Sequence, residues 1–177
     1  MQKYSILFFL IGALTMAVIV TISGDHLQTA DTPHRILDLE FAFNSAKTAK
    51  VLDAWTPVSP YDRIAIAKHN TWLDFIFIFF YSIFLFLASK AISRLFGGGF
   101  GRAGKFIAKG ALLAGLLDVV ENTGMLLTLS GKGSDAVALF TTISSVIKWA
   151  LALLAVLYVL TATASLLRSR ITRYRRS

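Results

Sequence analysis

Four stretches of this chain stay apolar for about the 20 residues that an α-helix needs to cross a roughly 30 Å layer of hydrocarbon. They run over residues 4–23, 71–95, 106–129 and 147–167. In lipid no water is available to the backbone amides, so a spanning segment has to satisfy them within itself, as a helix does. The fold expected is therefore an all-α membrane protein, a four-transmembrane-helix bundle forming a single membrane domain. A cleaved signal peptide is the competing reading of residues 4–23, with Thr21 and Ser23 as small residues before the cut. Its apolar run is longer than the 7 to 15 or so residues such a peptide carries.

The balance of residue types agrees, with 55% hydrophobic and 16% charged, where soluble chains carry roughly 25% charged. No cysteine is present, which excludes disulfides, thiolate metal sites and cysteine nucleophiles. A net charge of +8 invites a nucleic-acid reading, so the placement of the charges decides more than their sum. Lys3, the loop residues Lys90, Arg94, Arg102, Lys105 and Lys109, and the tail residues Arg168, Arg170, Arg173, Arg175 and Arg176 stand on one side with no acid among them. By the positive-inside rule this side is cytoplasmic, which places both termini there. The five tail arginines are expected to contact anionic lipid headgroups, at about 1 kcal/mol each near the surface, and not nucleic acid.

The opposite side then holds residues 24–70 as a small extracytoplasmic cap. Leu37, Leu39, Phe41 and Phe43 alternate with Asp38, Glu40 and Ala42, a period of two that predicts an extended segment with one buried face. Asn44 is placed to cap a short helix, Ser45–Trp55, which Thr56 and Pro57 would end. The next helix has Ser59 as its expected N-cap, Pro60 at the first position and Asp62 in the first turn. Residues 96–105 are expected to form a cytoplasmic loop and residues 168–177 a basic tail.

Several motifs have bland readings that outweigh their chemical ones. GGGFGRAGK satisfies the patterns of dinucleotide and phosphate loops, but membrane helices flank it and Phe106 stands where a magnesium-binding hydroxyl belongs. A basic connector is the expectation. His26, His34 and His69 with Asp25 and Asp31 could in principle ligate zinc, yet no spacing puts two imidazoles on one helical face, so no metal and no cofactor are expected.

The informative residues lie inside the spans. LLDVVEN places Asp118, Glu121 and Asn122 at i, i+3 and i+4 on one face of the third span, and Gly115, Ala114 and Ala111 continue that face with small residues that let helices approach. At 1.5 Å per residue Asp118 and Glu121 lie roughly 18 and 22 Å from the inner edge of the hydrocarbon, and Lys148 of the fourth span roughly 27 Å up, with Asp74 of the second span similarly high. A charge there costs about 2.5 to 3.5 kcal/mol unless paired. Asp74, Glu121 and Lys148 are therefore expected to face one another, with Asp118 and Asn122 one turn away and Asp118 keeping a proton. Such a cluster reads first as a structural brace, then as a ligand, ion or proton site, and last as a catalytic one. A non-enzymatic structural or ligand-binding protein ranks above a small proton- or ion-coupled transporter, and that above a lipid-modifying enzyme. Membrane lipids and a protein partner or second copy are the partners to expect.

LEFAF before the short helix, WLDF, LLDVVEN and IKWALALL together resemble a group of uncharacterised bacterial four-span membrane proteins. The resemblance covers most of the chain and implies a bacterial cytoplasmic membrane; it carries no known activity.

Overall fold

The computed structural model describes residues 2–56 and 60–174. Its helices are α1 (Gln2–Ser23), α2 (Ile36–Glu40), α3 (Ser45–Trp55), α4 (Arg63–Ser93), α5 (Gly98–Leu127) and α6 (Asp135–Tyr174), and no strand is present among the described residues. Four of them, α1, α4, α5 and α6, are long and apolar enough to cross a membrane, and the molecule is a multi-pass, all-α bundle.

The four are not equivalent. In the most apolar stretch of each helix, 44% of the residues are buried in α5 and only 11% in α1, so α5 is the centre and α1 the periphery. Accordingly α5 packs along both α4 and α6, which also touch each other, while α1 packs on α4. Small residues make the central contact close. Ala108, Ala111, Ala114 and Gly115 of α5 are buried, and a Cβ on Gly115 would stand 2.7 Å from the Ser82 Cβ of α4. Rings make the outer one. Phe8 and Phe9 of α1 meet Phe79 and Phe80 of α4 edge-on at centroid separations of 5.8–5.9 Å, with the Phe80 ring lying over Gly12. At the top, Asn70 Nδ2 donates to the carbonyl of Val20 and to Ser23 Oγ, both at 2.7 Å, and so satisfies groups at the end of α1.

The cap shares its core with the bundle. Leu27, Leu39, Val51 and Trp55 pack with Ala67 of α4 and with Met125 and Leu129 at the end of α5. Buried Trp55 donates its indole N–H to the Leu27 carbonyl and to Thr32 Oγ1, at 3.0 and 3.1 Å. α3 has the ends its sequence announces, with Asn44 Oδ1 accepting from the Lys47 amide at 2.9 Å. Its first residue is pinned to α6, since Ser45 donates its N–H and its hydroxyl to Asp135 Oδ1 at 2.7 and 2.6 Å.

Three local expectations are corrected. The alternating segment is not extended: Ile36–Glu40 is a helical turn and a half, and although Leu39 is buried as expected, Phe41 and Phe43 are exposed while Glu40 and Ala42 are buried. The partners of Glu40 lie on α6, and satisfying its carboxylate outweighs hiding two rings. The start of α4 is Arg63, where Asp62 is itself the N-cap and accepts from the Ala65 amide at 2.9 Å; Pro60 precedes the helix, and Ser59 lies outside the described residues. The glycine-rich connector is mostly helix. α5 begins at Gly98, and Gly101 and Gly104 are close-contact positions, a Cβ on Gly104 falling 2.0 Å from the Tyr158 hydroxyl. Glycine there serves proximity and not flexibility.

Candidate functional site

Acids of α2 and α5 converge on one ammonium group of α6. Lys148 of α6 is 8% exposed, and its Nζ lies 2.7 Å from Asp118 Oδ1, 2.8 Å from Glu121 Oε1 and 3.1 Å from Glu40 Oε1. Asp118 and Glu121 are presented by adjacent turns of α5, one helical face apart by three residues. Glu40 comes from the cap, is the buried last residue of α2, and makes its contacts with α6.

Each acid is held differently. Asp118 accepts at both oxygens, from Lys148 at Oδ1 and from the Tyr81 hydroxyl of α4 at Oδ2, 2.7 Å each. Glu40 Oε1 accepts from the Ser145 hydroxyl in a short hydrogen bond and from the Trp149 indole N–H at 2.8 Å, besides Lys148. The Thr142 hydroxyl donates to the Glu40 backbone carbonyl at 3.0 Å, so residues 142, 145, 148 and 149 of α6 form one receiving face for α2. Glu121 has the Lys148 contact at Oε1, while its Oε2 is buried with no hydrogen-bond partner. Asn122 is fully buried, donates from Nδ2 to Asp74 Oδ2 at 2.8 Å, and leaves its Oδ1 without a partner.

The five residues singled out in the spans thus come together, but in another pairing. Asp118, expected one turn away, is in direct contact with Lys148. Asp74 is not among the ion-pair partners of Lys148 and joins the cluster through Asn122. Sequence reasoning missed Glu40, Tyr81, Ser145 and Trp149. Tyr81 follows Asp74 by seven residues on the same face of α4, a spacing that would have located it. Glu40 had only its isolation as an acid inside LEFAF to mark it.

Other candidate residues lie apart from this cluster. The His26 ring stacks on Tyr61 with centroids 4.0 Å apart, and His34 Nδ1 pairs with Asp38 at 3.2 Å. Asp25 pairs with Arg35 at 2.7 Å. Asp31 and His69 are exposed. No group of three potential metal ligands occurs among the described residues. Arg168, Arg170 and Arg173 lie in the last turns of α6, and Arg175 and Arg176 are outside the described residues.

Chemically, the cluster offers four carboxyl groups to one ammonium, in an interior where an ionised oxygen without a donor is costly. Its hydroxyls, Tyr81 and Ser145, both donate to acids already engaged by Lys148. Binding of protons or cations, and mechanical linkage of the segments, are what such a group can do. Compared with protein-family models, with curated proteins and with solved structures, the chain matches none.

Proposed function

We propose that this chain is a non-enzymatic, multi-pass protein of a bacterial cytoplasmic membrane, in which a buried ionic cluster latches an outer cap onto the transmembrane helices. One observation carries the reading: Lys148 Nζ is shared by carboxylates of α2 and α5, so the same ammonium ties the cap and the central helix to α6. The basic residues at 3, 90–109 and 168–176 support a cytoplasmic side bearing both termini and touching anionic lipid, and the resemblance in the span motifs supports a bacterial setting. A proton- or ion-coupled transporter is the second reading, favoured by the surplus of carboxyl groups over ammonium in the outer half.

The absence of native cysteine makes the latch directly testable. Leu39→Cys places a thiol at a position 3% exposed, beside Glu40. Adding Lys148→Met should open the cap and raise the rate of labelling by a water-soluble maleimide about tenfold or more, the factor that a loss of about 1.4 kcal/mol of closure produces. Unchanged labelling, with the helices still inserted, would sink the latch. Reporter fusions after Trp55 and after Gly101 should report opposite sides, and identification of lipids, metabolites or proteins that copurify in native lipid separates a binding role from a structural one.

A further inference from the structure

We infer that Glu121 is a proton-binding site, the carboxyl of this cluster that carries an exchangeable proton, while Asp118 and Glu40 are its fixed anions. The inference rests on the latch reading only for its consequence, since the site itself follows from donor geometry.

Lys148 donates to Asp118 Oδ1 and to Glu121 Oε1, and its Nζ also lies 3.1 Å from Glu40 Oε1. No hydrogen bond reaches Glu121 Oε2 from that lysine or from elsewhere. The groups acting on this carboxyl are Glu40 from α2, Tyr81 from α4, Asp118 from α5 and Lys148 from α6. Tyr81 directs its donor to Asp118, and Asn122, the next residue of α5, directs its own to Asp74. Glu121 is therefore fully buried with one bare oxygen, beside the acids Asp118 and Glu40.

The other acids are better served. Both Asp118 oxygens accept, the arrangement of an ionised carboxylate, which moves the proton expected there on grounds of depth to its neighbour one turn on. Glu40 Oε1 accepts from Ser145 and Trp149 and is paired with Lys148. Asp74 is only partly buried, so its second oxygen is not enclosed as Glu121 Oε2 is. A proton on Glu121 Oε2 removes one negative charge from the surplus and converts an orphaned acceptor into a donor.

The chain contains two glutamates, Glu40 and Glu121, so selective labelling isolates the question. Protein in lipid vesicles, grown with carboxyl-13C glutamate, should show at neutral pH a protonated-carboxyl C=O infrared band that shifts with the label. The band should persist in Glu40→Gln and vanish in Glu121→Gln, and it should not shift with labelled aspartate. A band that shifts with labelled aspartate alone, or no protonated-carboxyl band in folded protein, overturns the inference. Because the wild-type labelling needs no variant, misfolding of Glu121→Gln leaves it decidable: a glutamate-labelled band that survives in Glu40→Gln upholds the site, and one lost there assigns the proton to Glu40. The maleimide assay reports the latch separately, so a Glu121 band with a cap that stays closed in Lys148→Met keeps the proton site and removes the latch.

Discussion

Lys148 is paired with three buried carboxylates, so removing it strands charge instead of merely deleting a contact. Lys148→Ala should cost about 3–5 kcal/mol, the range for breaking one side of a buried pair. The rescue pattern follows from which acids are ionised. Adding Asp118→Asn should recover more of the loss than adding Glu121→Gln, because a neutral Glu121 strands no charge. Reversible unfolding in mixed micelles measures all three variants, and equal or opposite recovery would contradict the assignment of charge. Tyr81→Phe, which removes the second donor to Asp118, should cost about 1.5–3 kcal/mol, the worth of a hydrogen bond to a charged group.

At the scale of elements, the contact between α4 and α5 depends on the absence of side chains. Gly115→Val would drive carbon into Ser82 of α4 and should destabilise the bundle by about 1–3 kcal/mol, whereas Gly99→Val, with nothing within 4 Å of its Cβ, should change stability by about 0.5 kcal/mol or less. Thermal unfolding of the two variants side by side makes the comparison. The same glycines show what sequence reading can reach. The spans were legible from their length and apolarity, and α3 was legible to its ends because Asn44 and Thr56 act locally. Gly101 and Gly104 were not, since a glycine admitted for close approach to Phe96 and Tyr158 is written like a glycine that breaks a helix. α2 was misread for a related reason: the helix is five residues long, and its Glu40 is held by Ser145 and Trp149 more than a hundred residues away. Depth along each span gathered Asp74, Glu121 and Lys148 into one layer and set Asp118 a turn away, whereas Asp118 contacts Lys148 directly. It could not resolve helix rotation, which is what gave Lys148 to Asp118 and left Asp74 with Asn122.

For the whole molecule, the latch connects segments made far apart in time as well as in sequence. α5 carries Asp118 and Glu121 ahead of Lys148 in the chain, and its mean hydropathy of 1.4 is the lowest of the four spans, against 2.2 to 2.6 for the others. Two acids near the middle of a lone helix, at about 2.5–3.5 kcal/mol each, make its solitary insertion unfavourable. A chain ended before Asp135 should therefore leave α5 largely uninserted in microsomes or membrane vesicles, and extension through Leu167 should restore it; efficient insertion of the shorter chain would refute this. On this account the wide turn at Thr128–Lys132, with Gly131 at φ 78°, is the bend of a hairpin that the translocon has to release as one piece. The cap closes only afterwards, so Glu40 waits outside the membrane for a partner that arrives last, and the order of birth becomes the order of assembly.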